Sequence, residues 1–157
     1  VILKKMAWLY SNKIPNEIEA ENTYLALFEL TNDLSFIEPI EKAVQKTKNL
    51  ESLINVLTKK LSLCKEKEET FFLCKRIGEI YENFSNIEKA VEFYSQAFNL
   101  NHDSQISKKL KNIYLIQRDY EKVLNFIDYE SGISKLGEKA NLLIEKGILY
   151  RDHLKND

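Results

Sequence analysis

Apolar residues return every three or four positions along nearly the whole chain. Phe71, Cys74, Ile77, Gly78 and Tyr81 follow this spacing, and so do Ile87, Ala90, Val91, Tyr94, Ala97 and Phe98. That is the period of a helix with one buried face. Strict alternation over five or more residues, the signature of a half-buried strand, is hard to find. Polar breakers fall at short intervals: Ser11-Asn12, Asn32-Asp33, Asn83 to Asn86, Asn101 to Ser104, and Ser131-Gly132. The pattern predicts helices over about 1–11, 15–31, 36–47, 49–63, 67–83, 86–99, 104–117 and 119–130, with a ninth over about 136–154. Ser35 stands three residues before Glu38, the spacing of a capping box. Pro15 suits a first helical position, where its missing N–H costs little. Pro39 falls in or near another first turn and should shorten that helix or blur its start. Helices joined by turns this short are antiparallel neighbours, so eight of the nine pair as hairpins and one is left over.

The hairpins are related to one another. Ile77, Tyr81, Ile87 and Ala90 recur at one constant offset as Leu110, Tyr114, Tyr120 and Val123, and the strings NIEKAVEF and DYEKVLNF align without a gap. One unit earlier, Leu53 takes the place of Ala90. One unit later, Tyr150 takes the place of Tyr114, with Gly147 ahead of it as Gly78 is ahead of Tyr81. A period of about 34 to 35 residues is the mark of a stacked repeat, in which one hairpin cannot bury its own apolar face. Approximate units are 1–33, 34–69, 71–103 and 104–136, with a half unit at 137–157. Small residues are expected where two helices cross closely and large ones beside the crossing. Gly78, Tyr81, Ala90, Tyr94, Ala97, Tyr114, Val123, Gly147 and Tyr150 are the predicted repeat core. Overpacking by Gly78→Leu or Ala90→Leu should cost about 1–3 kcal/mol. Gly78→Ala should be mild or stabilising, since glycine inside a helix loses about 1 kcal/mol to alanine.

Gly78, Tyr81, Ala90, Tyr94 and Ala97 resemble the tetratricopeptide repeat, whose pattern places a small residue and an aromatic on its first helix and Ala, an aromatic and Ala on its second. His102 stands where that pattern often has Pro, and the 104–136 unit has Lys111 at the small position and Glu130 at the last Ala position. The resemblance implies an all-α, right-handed superhelical solenoid of antiparallel hairpins running as a single array over 1–157, a segment of a longer protein. It also implies a groove, lined by the first helix of each hairpin, that holds a protein or peptide. The residues mapped to that groove are Phe72, Lys75, Arg76 and Glu79, then Gln105, Lys108, Lys109 and Asn112. Four cations against one acid point to an acidic partner. The cation clamp with which one subclass holds chaperone tails is not reproduced, since Glu79, Asn141 and Glu145 occupy clamp positions.

Composition narrows the function further. Of 157 residues, 44% are hydrophobic and 30% charged, with only 4 Gly and 2 Pro, a balance that favours a helical domain with a core. A net charge of -1 gives no global field to gather nucleic acid or anionic membrane. No apolar run reaches the ~18 residues of a membrane span. Cys64 and Cys74 have neither redox-motif nor metal-ligand spacing and are expected as reduced thiols in a cytoplasmic protein. His102 and His153 are the only histidines, and no phosphate loop, dinucleotide fingerprint or zinc-protease motif is present, so catalytic residues, metal and cofactors are all expected to be none. The expected function is a non-catalytic interaction scaffold. Two alternatives stand beside it: a regulatory or substrate-recruiting domain of a larger enzyme, and an RNA-binding helical repeat. In the last helix Leu142, Leu143, Ile144, Gly147, Ile148, Leu149, Tyr150 and Leu154 surround most of the circumference, from which self-association through this helix is expected.

Overall fold

The computed structural model describes residues 2–13 and 16–154. Among them it forms nine α-helices and one 3-10 turn, and no strand. They are α1 Ile2–Asn12, α2 Glu17–Thr31, the 3-10 turn Leu34–Phe36, α3 Ile37–Thr47, α4 Leu50–Leu63, α5 Lys67–Asn83, α6 Ile87–Leu100, α7 Ser104–Ile116, α8 Tyr120–Ile133 and α9 Leu136–Asp152. Most starts are set by side-chain caps. Asn16, Asn49, Asn86, Asp103 and Asp119 each accept a hydrogen bond from a backbone N–H in the first turn that follows. Pro15 lies outside the described residues. Two expected boundaries are corrected. Asp33, not Ser35, is the capping acceptor, and it opens the 3-10 turn that precedes Pro39 and α3. Ser131-Gly132 does not end α8. Ser131 Oγ donates back to the Asp128 carbonyl at 3.0 Å and the helix continues to Ile133.

The chain groups into two compact units, Val1–Lys65 and Glu66–Asp157. In the first, α2 packs against α1 and α3, and α3 against α4. Its core includes Ala7, Leu27, Phe28, Ile40, Val44 and Leu57. Glu21 on α2 is 2% exposed and accepts from Thr47 Oγ1 and from Asn49 Nδ2, the latter at 2.7 Å. These donors flank Lys48, whose φ is 58°, so a buried carboxylate fixes the α3–α4 turn.

In the second unit each helix packs on the next, α5 on α6 through to α8 on α9. First helices also meet first helices: Lys75 Nζ of α5 donates to Gln105 Oε1 of α7 at 3.2 Å, and Lys111 of α7 reaches Glu145 of α9 at 3.4 Å. Second helices meet through Phe98 of α6, which packs edge-on against Phe126 and Tyr129 of α8. His102 closes this cluster, its carbonyl accepting from Tyr129 Oη at 2.7 Å and its ring lying against Phe98.

The repeat offset holds at the level of individual bonds. In the α5–α6 turn, Phe84, Ser85 and Asn86 donate to the carbonyls of Ile80, Glu82 and Tyr81. In the α7–α8 turn, Gln117, Arg118 and Asp119 donate to those of Ile113, Leu115 and Tyr114. Ser85 and Arg118 have φ of 58° and 60°. Tyr81 stacks on Phe93 with ring centroids 5.7 Å apart, and Tyr114 on Phe126 at 6.0 Å. Ala90, Tyr94, Ala97 and Val123 are fully buried, whereas Tyr81, also expected in the core, is half-buried.

Gly78 shows why a small residue is needed. A Cβ there would lie 2.8 Å from two ring carbons of Tyr94, closer than packed atoms allow. The expectation that Gly78→Ala is mild is therefore corrected: the helix-propensity gain of about 1 kcal/mol is set against displacing a fully buried ring. Gly147 and Tyr150 are corrected too. Both are exposed, because no helix among the described residues covers that side of α9. Gly78→Ala should lower stability by about 1–3 kcal/mol, while Gly147→Ala, with open space around it, should raise it by up to about 1 kcal/mol. Tyr94→Ile should remove most of the Gly78→Ala penalty in a double-mutant cycle read by denaturant melts. Equal effects of the two Gly→Ala changes would contradict this packing.

Candidate interaction surface

The predicted groove residues come from adjacent first helices, α5 and α7. Phe72, Arg76, Gln105, Lys108 and Asn112 are exposed, and Lys75 and Glu79 are half-buried. The Lys75–Gln105 hydrogen bond joins the two helices, so their exposed residues share one surface. Phe72 is 56% exposed and meets Phe71 edge-on at 5.1 Å. Beside it lies an open cavity of about 360 Å³, lined by Phe71, Phe72, Lys67 and Glu68 of α5 with Leu100 and Asn101 at the end of α6. The hollow thus sets the Phe71 and Phe72 rings beside one amine, Lys67, and one carboxylate, Glu68.

Lys109 departs from the expected groove. Its Nζ lies 2.5 Å from Glu82 Oε2, donates to Tyr94 Oη at 2.9 Å and sits over the Tyr94 ring. Tyr94 Oη in turn donates to Glu82 Oε2 at 2.6 Å. These three side chains, from α7, α5 and α6, form a closed triangle that ties three helices together. Burial pushes the Glu82 carboxyl up, but hydrogen bonds from Lys109 and Tyr94 and the Lys109 charge outweigh it and hold the group below the ordinary glutamate range. Burial, then the bond to Glu82, pushes the Tyr94 phenol up, so the phenol stays neutral. Lys109 is thus a structural cation, engaged between helices.

A second polar group was missed as a cluster. Lys111 and Glu130 occupy the places of Gly78 and Ala97 in the following repeat. Lys111 Nζ lies 2.8 Å from Glu130 Oε2, and Glu130 Oε1 accepts from the buried Ser107 hydroxyl at 3.1 Å. Burial pulls the Lys111 ammonium down, and Glu130 and Glu145 more than restore it. At the same offset the buried Ile127 replaces Tyr94, a smaller side chain where the lysine is larger than glycine. The signal was present in the sequence as two paired departures from the repeat.

The first unit holds an open cavity of about 450 Å³ between α1, α2 and α3 that no motif announced. Tyr10, Tyr24, Ala20, Ala43 and Gln45 line it, and its lysines are engaged: Lys42 with Glu38 at 2.7 Å and Lys46 with Glu17 at 3.4 Å. Among the described residues no group of three or more His, Cys, Asp or Glu is placed to hold a metal ion. No helix among them is long and apolar enough to cross a membrane. Cys64 and Cys74 form no disulfide, and burial pushes the Cys74 thiol up. No family model matches the chain, and no curated protein matches it in sequence.

The Glu82 triangle predicts a pH dependence of definite sign. A carboxyl held below its unfolded value stabilises fully above the ordinary glutamate range and loses that contribution as pH falls through the depressed value. Glu82→Gln should therefore lower Tm at neutral pH, and the gap to the parent should close in acid. A gap that stays constant down to the acid transition would show that Glu82 is not held as described.

Proposed function

We propose that this chain is a tetratricopeptide-like solenoid of helix hairpins that works without catalysis, as a scaffold for an acidic peptide or protein segment. The observation that carries the reading is the bond-for-bond recurrence of the α5–α6 turn in the α7–α8 turn. A repeat this regular makes α5 and α7 equivalent neighbours, so side chains at equivalent positions line one continuous strip. Lys75 and Lys108 are such a pair, as are Phe72 and Gln105. Amines spaced along a strip pair with carboxylates of an extended peptide, and the hollow beside Phe72 offers room for an apolar side chain. A right-handed superhelix and a cytoplasmic setting belong to the same reading.

Fluorescence anisotropy with short peptides of mixed acidic and aromatic composition, set against the same peptides with Lys for Glu, tests it. The acidic set should bind, and binding should weaken when salt shortens the screening length. Lys75→Glu with Lys108→Glu should reduce affinity by about tenfold or more, while Tm changes little, since Lys108 is exposed and Lys75 gives up a single exposed hydrogen bond to Gln105. Equal binding by the double variant at low salt would contradict the reading.

A further inference from the structure

The strip along the first helices changes character from one repeat to the next. The offset that relates α5 to α7, carried on to α9 by the match of Tyr114 with Tyr150, sets Lys75, Lys108 and Ile144 at one repeat position. Four residues on, Glu79, Asn112 and Ile148 share the next. Both rows are polar on α5 and α7. Both become aliphatic on α9, where Ile144 is 62% and Ile148 43% exposed.

Contacts on either flank fix where these rows lie. Lys75 joins α5 to α7 through Gln105, and Lys111 joins α7 to α9 through Glu145, so the three helices are neighbours in order. On one flank, the positions just after the first row turn back to the preceding helices: Lys109 reaches Glu82 and Tyr94, and Glu145 reaches Lys111. On the other flank, Gly78 and Lys111 are covered by Tyr94 and Glu130 of their own hairpins. The rows run between these contacts. α9 follows α7 in the stack, and Lys108 and Asn112 are nevertheless exposed. A following first helix leaves these positions open, so exposure at Ile144 and Ile148 is a property of the repeat position.

We propose that the strip is graded and selects an extended peptide with acids at one end and an aliphatic side chain at the other, an inference that rests on the scaffold reading above. Carboxylates lie on Lys75 and Lys108, and the aliphatic chain lies on Ile144 and Ile148. Packed helices stand about 8–10 Å apart, and an extended chain advances about 3.3 Å per residue. One helix therefore corresponds to about three residues of peptide. The motif is acid, two spacers, acid, two spacers, aliphatic, in either chain direction. An acid at the last position would set a carboxylate against two isoleucines, and the strip selects against it.

The probes are two fluorescein-labelled peptides that differ only at that last position, Leu in one and Glu in the other, each made in both chain directions and titrated with the whole chain. In the direction that binds, the Leu peptide should bind about tenfold more tightly. Ile144→Lys, at an exposed position, should keep Tm and reverse the order, because it extends the amines to α9. A merely structural role for Ile144 would not produce that exchange. Lys75→Glu with Lys108→Glu should weaken both peptides. Equal affinity for the Leu and Glu peptides, or an unchanged preference in Ile144→Lys, would overturn the graded strip and leave the acidic scaffold standing. Failure of every peptide to bind would overturn the scaffold reading and this inference with it.

Discussion

The contact of the Tyr94 ring with Gly78 is the constraint on which the second unit depends. With no side chain at Gly78, the ring lies against the backbone of α5 and sets how closely α6 approaches. The ring is fully buried, so its hydroxyl needs a partner, and Glu82 supplies one at 2.6 Å. A half-buried carboxylate in turn needs a cation, and Lys109 arrives from α7. One close approach therefore recruits a polar triangle, and the triangle ties the first hairpin to the second. The cost of burying each polar group is met by the next group, which is why a lysine that belongs to a groove by position becomes a strut by contact.

The second hairpin solves the same crossing with different chemistry. Ile127, smaller than Tyr94, stands at the ring's place in the repeat, Lys111 stands at the glycine's, and Glu130 pairs with the lysine while accepting from Ser107. Shape is kept by exchanging large for small on one helix and small for large on the other. An ionic interior of this kind adds little net stability over an apolar one, but removing either partner strands the other charge. What the two crossings share is the turn and the Tyr-on-Phe stack that fix the angle between helices.

Much of this was legible in the sequence because helix periodicity, Asn and Asp caps and a constant repeat offset are local or additive signals. Helix limits for α5 and α6 fell within about one residue, where the apolar spacing is regular. Contacts between distant residues were not legible. Glu82 and Lys109 are 27 residues apart and sit at ordinary surface spacings, so nothing local marks them as a pair. Asp33 displaced Ser35 as the cap because its carboxylate reaches the Ser35 amide. Gly147 and Tyr150 fit the core by pattern, yet a pattern names a face without naming what covers it. The cavity of the first unit is lined by residues from three helices and follows no linear spacing.

The stacked hairpin with Tyr94 seated on Gly78 can be observed directly in solution. A nuclear Overhauser spectrum with assigned aromatic and glycine protons reports the distance between these groups. Strong cross-peaks from the Gly78 α-protons to the Tyr94 ring are predicted, together with cross-peaks linking Tyr81 to Phe93 and Tyr114 to Phe126. Absence of the Gly78–Tyr94 cross-peaks in a folded sample would contradict the close crossing and the repeat built on it.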